Sequence, residues 1–180
     1  MKFSLSLIQI EAINYLREAN FDSSDGLPEE LFLFASSLVP LPNIDMLIVD
    51  EQNRILLSRR NDDFFDKSWH IPGGCIRYNQ TMQTCVCDSM LRELGNIIPF
   101  DETPIMVRDV IRGKRENIQH PYERGHNISM LFRCYWPSQC IINNQNKHPN
   151  DDGYLEFFDK LPSDFLALQH VFDDVLQPWL

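Results

Sequence analysis

Apolar positions near the start of the chain recur with the spacing of helices. Over residues 4–20 they fall at mixed three- and four-residue steps, which predicts an amphipathic helix. Pro28-Glu29-Glu30 has the composition of a first helical turn, so a second helix is predicted through Ser37. We assign residues 1–26 to an N-terminal helical extension and 27–180 to the main domain. The extension is either a packing cap or a surface for a partner.

Short apolar runs between polar turns predict the strands. The runs at 44–49 and 54–58 flank a polar turn and therefore predict a hairpin. Pro72-Gly73-Gly74 is expected to break the third strand, and Gly95-Asn96 is expected to end a helix over 81–94. The remaining strands are predicted at 69–71, 105–111, 128–136 and 155–158, and residues 161–164 are expected to lead into a last helix through Leu176. This order predicts an α/β sandwich.

Composition and charge limit the classes of function. A chain of 180 residues is long enough for one well-packed domain. Its net charge of -10 argues against broad binding to nucleic acid or to an anionic membrane. Its longest apolar run is too short to cross a bilayer, which requires about 20 residues. The N-terminus lacks the pattern of a signal peptide, and five cysteines without zinc-site spacing indicate reduced thiols, so a cytoplasmic location is expected.

The candidate chemistry lies between Trp69 and Gly95, where a strand, a Gly-Gly loop and a helix follow one another. Glycines let a ligand approach the backbone and leave a carbonyl open to a hard cation. Glu93, near the end of the helix, can supply a carboxylate to the same place. A carbonyl and one or two carboxylates are a typical Mg²⁺ environment when a phosphorylated substrate supplies the other ligands.

This stretch resembles the Nudix box, a pattern of glycine, arginine, glutamate and apolar residues at fixed spacing. Counted from Gly74, the residues Met90, Glu93 and Gly95 match the pattern. Arg92 stands where the box has the first glutamate of its Glu-Glu pair. The other departures are Gln80 for glutamate and Asp88-Ser89 for the Arg-Glu pair.

From about residue 27 to residue 162 the chain resembles the GDP-mannose mannosyl hydrolase branch of the Nudix superfamily. That branch has a damaged box and keeps only the second glutamate of the pair, here Glu93. The resemblance rests on ordered segments at 28–31, 38–45, 55–60, 69–74 and 93–95. It implies a Nudix-type α/β/α sandwich with a mixed central sheet and a loop-helix-loop. It also implies hydrolysis of a nucleotide sugar by water attack at the glycosyl carbon.

The resemblance implies a set of site residues. Mg²⁺, or Mn²⁺, would bind a carbonyl of Gly73 or Gly74 and the carboxylate of Glu93. Arg60 matches an arginine that neutralises the leaving diphosphate, a role that suits a guanidinium because it stays charged and binds phosphate bidentately. Two further residues match positions near the substrate: Asp45 on a strand under the nucleotide and His126 in a loop before a strand.

The remaining expectations concern positions where the chain departs from this branch. Cys75 and Asp88 stand where the branch often has arginines, and Arg77 and Arg92 are the candidates to replace them. A Gln-His pair of the branch aligns with Asp151 and Asp152. Asp151 is then a candidate metal ligand, and Asp152 a candidate carboxylate base of the kind that inverting glycosidases use. His148 is the other candidate base.

Three functions are consistent with these residues. The first is a Mg²⁺-dependent hydrolase that releases sugar and nucleoside diphosphate from a GDP-mannose-like or GDP-glucose-like substrate. The second is a Nudix enzyme that attacks phosphorus in another nucleoside diphosphate derivative. The third is a catalytically impaired module that binds a nucleotide. The branch resemblance also implies a homodimer. In an acidic chain, Mg²⁺ and Arg60 would supply most of the positive field at the site.

Overall fold

The described part of the fold contains four α-helices and seven β-strands. The computed structural model describes residues 4–18, 26–61, 67–111 and 126–180. It contains the helices α1 (Leu7–Glu18), α2 (Glu29–Leu38), α3 (Met82–Leu94) and α4 (Asp173–Leu176). The strands are β1 (Leu41–Val49), β2 (Ile55–Arg60), β3 (Ser68–His70), β4 (Gly73–Cys75), β5 (Met106–Ile111), β6 (His126–Tyr135) and β7 (Leu155–Phe158).

The strand β1 lies at the centre of a seven-stranded mixed sheet of order β3-β2-β1-β6-β5. It runs parallel to β6 along its whole length, from Leu41 opposite Asn127 to Val49 opposite Tyr135. On its other side it pairs with β2 and with the short β4, both antiparallel. The strand β7 pairs with β2. The hairpin predicted from the two first apolar runs is therefore confirmed.

Alternate residues of β1 enter two separate cores, one on each face of the sheet. Ile44, Met46 and Ile48 pack with the apolar side of α3. Leu47 and Val49 pack on the opposite face with the C-terminal segment. Because side chains alternate along a strand, a run that is apolar at every position must be covered on both sides. The predicted α/β/α sandwich with a mixed sheet is confirmed.

The helix α3 has the ends that its sequence predicts. The hydroxyl of Thr81 accepts a hydrogen bond from the Thr84 backbone N–H at 3.1 Å. Gly95 has a left-handed φ of 74° and donates its N–H to the Leu91 carbonyl. These caps satisfy backbone groups that the helix itself leaves unpaired. Gly95 ends the helix directly after the turn that carries Arg92 and Glu93.

The Gly-Gly segment was expected to break a strand, but it forms the strand β4. Gly73 lies opposite Asp45 and Gly74 opposite Ile44. A Cβ atom at position 73 would lie 2.1 Å from the Ile44 carbonyl oxygen. The backbone of β4 therefore lies closer to β1 than any side chain at this position allows. This approach brings the Gly73 carbonyl over the end of α3.

A continuous last helix, entered through residues 161–164 and ending at Leu176, was also expected, and this prediction is wrong. The segment instead contains 3-10 helices at Ala167–Phe172 and Gln177–Trp179, with α4 between them. The reason is that residues 164–166 extend along β3. The Trp69 N–H donates to the Asp164 carbonyl, and the Leu166 N–H donates to the Trp69 carbonyl. Residues bound in this way cannot form the first turn of a helix.

The helix α1 forms where the sequence predicts it, but none of its side chains is buried. The most exposed of its apolar side chains are Leu7 and Ile8. The division into an extension, residues 1–26, and a main domain therefore stays a prediction. Within the described ranges, no helix has both the length and the apolar composition needed to cross a membrane.

The close approach of β4 to β1 predicts a sharp difference between two adjacent glycines. Gly73→Ala should lower the free energy of unfolding by at least about 2 kcal/mol, because the new Cβ meets the β1 backbone. Gly74→Ala is the matched control, since its Cβ meets only the side chains of Arg92 and Ser89. It should cost about 1 kcal/mol or less. Urea unfolding of both variants tests this, and equal losses would contradict the packing described.

Candidate active site

A cleft of about 470 Å³ opens where β1, β2 and β4 meet the end of α3. Six of the residues expected at the site line it: Asp45, Arg60, Gly73, Gly74, Glu93 and Asp152. They come from three strands, one helix and the loop before β7. Residues far apart in the chain are thus brought to one concave surface, as in most small-molecule sites.

Asp45 lies at the floor of the cleft as a buried carboxyl group. Its oxygens accept hydrogen bonds from the Asn43 amide at 3.1 Å, the Gln169 amide at 2.9 Å and the Ser129 hydroxyl. Burial raises the pKa of Asp45 to about 6, although these hydrogen bonds and the positive charge of Arg60 act in the opposite direction. Asp45 is therefore poised to change protonation near neutral pH.

Gln169 connects the C-terminal segment to this floor. Its amide donates to Asp45 and to the Ile71 carbonyl, and its carbonyl accepts from the Ile71 N–H at 2.7 Å. Its side chain is buried in an otherwise apolar segment. Because a buried amide requires partners for both of its ends, Gln169 fixes Asp45 and β3 relative to each other.

Arg92 and Glu93 form the wall of the cleft opposite this floor. The Nη2 atom of Arg92 donates to the Gly73 carbonyl at 3.1 Å and to Glu93 Oε1 at 3.0 Å. It also lies 3.3 Å from the Ser89 hydroxyl. The side chain of Glu93 is 19% exposed and that of Arg92 is 51% exposed. One guanidinium thus bridges the two groups expected to bind a metal ion.

Opposing effects act on the pKa of Glu93. Burial raises the pKa of its carboxyl group, and the nearby Asp45 raises it further. The charge and hydrogen bond of Arg92 lower the pKa of Glu93, as does a hydrogen bond with the Gly73 backbone. Arg92 is therefore the cation that stabilises the charged form of Glu93.

Comparison with known families decides what kind of domain this is. The model of the NUDIX domain matches residues 39–161, which is most of the chain. The chain belongs to the Nudix hydrolase family. The matched region contains every residue of the cleft discussed above except Gln169.

Known proteins resemble the chain at low identity. The ADP-ribose pyrophosphatase of Methanocaldococcus jannaschii is 28% identical over 123 residues, which cover 68% of this chain and 64% of that protein. The chain thus spans less than two thirds of this relative's length. A possible asymmetric diadenosine tetraphosphate hydrolase from Jonesia denitrificans has a TM-score of 0.56 at 16% identity, over 79% of this chain and 96% of its own. A MutT Nudix hydrolase from Burkholderia pseudomallei has a TM-score of 0.53 at 21% identity, over 74% and 95%. At these identities the two structures support the fold alone.

The residues at which the chain departs from the Nudix box line a second, smaller cavity of about 220 Å³. It is lined by Cys75, Arg77, Gln80, Cys85, Asp88, Ser89 and Arg92. Within it the Gln80 amide donates to Asp88 at 2.8 Å. Arg92 and Cys75 line both cavities. Arg77 was expected near the substrate and instead lies in this second cavity.

Nudix hydrolases generally use divalent metal ions, so the fit of the chain to such an ion can be tested. In the described ranges, no three His, Cys, Asp or Glu side chains converge as a metal site. The Gly73 carbonyl and Glu93 do converge, but on the Arg92 guanidinium. Asp45, the nearest further carboxyl group, is bonded to three donors of the protein. As arranged, these residues do not fit a resident Mg²⁺ or Mn²⁺.

The two aspartates of the loop before β7 have different surroundings. Asp152 is exposed, lines the cleft and accepts a hydrogen bond from the Asn61 N–H at 3.0 Å. Asp151 accepts one from the His148 N–H at 2.7 Å and so stabilises a local turn. Neither Asp151 nor His148 lines the cleft. Of the three residues expected to serve as base or ligand here, only Asp152 faces the place where a substrate would lie.

His126 begins β6, and its ring lies 2.9 Å from the carboxylate of Asp109 on β5. It does not line the cleft, whereas its neighbour Asn127 does. The alternation of side chains along a strand accounts for this, because adjacent residues point to opposite faces. Roles for His126 as a catalytic or substrate-binding residue stay predictions that its position does not favour.

Several cleft residues were not expected from the sequence. Lys147 lines the cleft and donates to the Gly153 carbonyl at 2.7 Å. Arg59, beside Arg60, is buried, pairs with Asp164 at 2.5 Å and lies over the Trp69 ring. A lysine in a polar loop carries no signal of its own. Both Arg59 and Arg60 line the cleft, and the sequence does not show which of them is buried.

The raised pKa of Asp45 predicts how stability changes with pH. In the unfolded chain this carboxyl group ionises near pH 4, and in the folded protein near pH 6. Between these values the folded state keeps a proton that the unfolded state has lost, so stability falls as pH rises through this window. From pH 4 to pH 7 the wild type should lose on the order of 2–3 kcal/mol more than Asp45→Asn.

Urea unfolding at both pH values measures this difference. Asp159→Asn, at an exposed carboxylate, controls for the loss of one negative charge. Equal pH dependence in the wild type and in Asp45→Asn would contradict a buried carboxyl group with a raised pKa.

Proposed function

We propose that this chain hydrolyses a nucleoside diphosphate derivative, with a nucleotide sugar of the GDP-mannose or GDP-glucose type as its substrate. The observation that supports this is the composition of the cleft: cationic Arg60, Arg92 and Lys147 line it together with the carboxyl groups of Asp45 and Asp152. Guanidinium groups suit a diphosphate, since they bind its oxygens bidentately. A volume of about 470 Å³ is within the range of small-molecule sites.

In the proposed reaction, water attacks the glycosyl carbon and the nucleoside diphosphate leaves. Asp152 takes the proton of the water, because it is the exposed carboxylate on the open side of the cleft. Arg60 and Arg92 bind the diphosphate and stabilise the charge that develops on it. Asp45 hydrogen-bonds the substrate from the floor of the cleft. The bond that forms joins the water oxygen to the sugar carbon, and the bond that breaks joins that carbon to the diphosphate oxygen.

The Mg²⁺ or Mn²⁺ expected from the resemblance would need the same two oxygen atoms that Arg92 contacts, on Gly73 and Glu93. We therefore assign the cationic role to the arginines. The cytoplasmic location is supported by the thiols, since all five cysteines are free. The homodimer rests on the resemblance alone.

A second candidate reaction is attack at phosphorus in another nucleoside diphosphate derivative. It is favoured by the similarity to a protein named ADP-ribose pyrophosphatase. Against it stands the loss of acidic residues from the box at Gln80, Ser89 and Arg92, because cleavage of a pyrophosphate by several metal ions depends on such carboxylates.

The position of isotope from labelled water distinguishes the reactions. GDP-mannose, GDP-glucose and ADP-ribose are each incubated with the protein in ¹⁸O water, and the products are analysed by mass spectrometry. We expect the label in the free sugar released from GDP-mannose or GDP-glucose, and no product from ADP-ribose, because its diphosphate is not attached to a glycosyl carbon. Label in a phosphate product would contradict attack at carbon and support the second candidate. Binding without any product would support a non-catalytic nucleotide-binding module.

The same assay tests the proposed base. Asp152→Asn should lower kcat by about 100-fold or more, within the range of general base catalysis. Asp159→Asn makes the same change at an exposed residue after β7 and should leave kcat unaltered. Full activity of Asp152→Asn would overturn the assignment.

A further inference from the structure

One side chain occupies the position at which the Nudix box is expected to bind its metal ion. Arg92 stands where the box has an acidic residue, so the substitution exchanges a ligand of cations for a cation. Its guanidinium reaches back to the Gly73 carbonyl and to Glu93, at 3.1 and 3.0 Å. The positively charged residue at this position therefore contacts the two groups at which the metal ion was expected.

The hydrogen bonds of Arg92 leave part of its guanidinium available to a ligand. To the described residues, all of these bonds run through Nη2. The Nε and Nη1 atoms carry three further N–H donors. The side chain is half exposed and lines the large cleft. Phosphate oxygens can therefore bind Nε or Nη1 of Arg92 through single hydrogen bonds while Nη2 keeps its contacts with Gly73 and Glu93.

The position of Arg92 is determined by groups that have little freedom. Gly73 is fixed by its close approach to β1, and Glu93 is mostly buried. Ser89, one turn earlier on α3, contacts the same nitrogen. An arginine held at three points is preorganised, so it loses less conformational entropy on binding than a free surface arginine would.

We propose that Arg92 supplies from within the protein the cation of this site, so that the chain binds the diphosphate of its substrate without a divalent metal ion. This rests on the proposed function in one respect only, namely that the ligand contains a diphosphate. Arg60 lies in the same cleft and provides a second guanidinium for it. Glu93 then acts as a positioning residue for Arg92 and not as a metal ligand.

Calorimetric titration with inorganic pyrophosphate tests this inference. The dissociation constant of the wild type in EDTA should agree within about twofold with that in Mg²⁺. Arg92→Glu should weaken binding in EDTA by about tenfold to a hundredfold, the range expected for loss of a charge-assisted contact plus a reversed charge. Arg92→Lys keeps the charge but not the fork of donors. Its dissociation constant in EDTA should lie between those of the wild type and Arg92→Glu.

A matched control tests whether the effect on binding depends on the position of Arg92 or only on the change in the charge of the protein. Arg108→Glu makes the same change on β5, where Arg108 contacts Asp174 outside the cleft at 2.9 Å. It should bind pyrophosphate in EDTA like the wild type. Thermal melting of each variant shows that it is folded.

Direct binding of Mn²⁺, followed by electron paramagnetic resonance, supplies a second readout. The wild type should leave the Mn²⁺ signal unchanged, whereas Arg92→Glu should bind the ion, since a carboxylate then joins Glu93 and the Gly73 carbonyl. Pyrophosphate binding that requires Mg²⁺ in the wild type, or that is equal in Arg92→Glu and the wild type in EDTA, would overturn the inference. Pyrophosphate binding in EDTA without turnover of any nucleotide sugar would overturn the proposed hydrolysis and leave the role of Arg92 standing.

Discussion

The contact between the β4 backbone and β1 determines the geometry of the cleft. Because Gly73 has no side chain, β4 approaches β1 closely and its carbonyl faces the end of α3. Gly95 ends α3 directly after the turn that carries Arg92 and Glu93. Arg92 joins the two elements through the Gly73 carbonyl and Glu93. The close packing of backbone at one glycine thus positions the charged groups on which the proposed chemistry depends.

Positively charged groups make up a larger share of the charged residues in the cleft than in the whole chain. The protein carries a net charge of -10, yet its cleft is lined by Arg60, Arg92 and Lys147 as well as by acidic residues. Asp45 is buried and its pKa is raised to about 6, so near that pH part of its negative charge is absent. A local positive field can therefore attract a diphosphate to an acidic protein. In this arrangement the guanidinium groups carry the role that Mg²⁺ was expected to carry.

The sequence predicts those parts of the fold that local patterns determine. The apolar runs of β1 and β2, the Thr81 and Gly95 caps of α3 and the sandwich class all follow from spacing and turn chemistry. The strand β4 does not, because two glycines directly after a proline have no strand pattern. They form a strand only because they pair with β1. The C-terminal segment differs for a similar reason, since residues 164–166 pair with Trp69, almost a hundred residues earlier.

The residues of the site likewise divide into those that the sequence predicts and those whose positions depend on contacts with distant parts of the chain. The family resemblance points to Asp45, Arg60, Gly73 and Glu93, and all four line one cleft. The direction of Arg92 depends on the β4 carbonyl, and the contact between Gln169 and Asp45 spans 124 residues, so neither can be derived from spacing.

The central claim, that Arg92 holds the cation position, is tested most directly by crystals of the substrate-free protein grown with Mn²⁺. Anomalous diffraction locates this ion without reference to the surrounding density. The account predicts no manganese peak within bonding distance of the Gly73 carbonyl and Glu93, with the Arg92 guanidinium in contact with both. A manganese ion bound to these two groups, with Arg92 turned away, would contradict it.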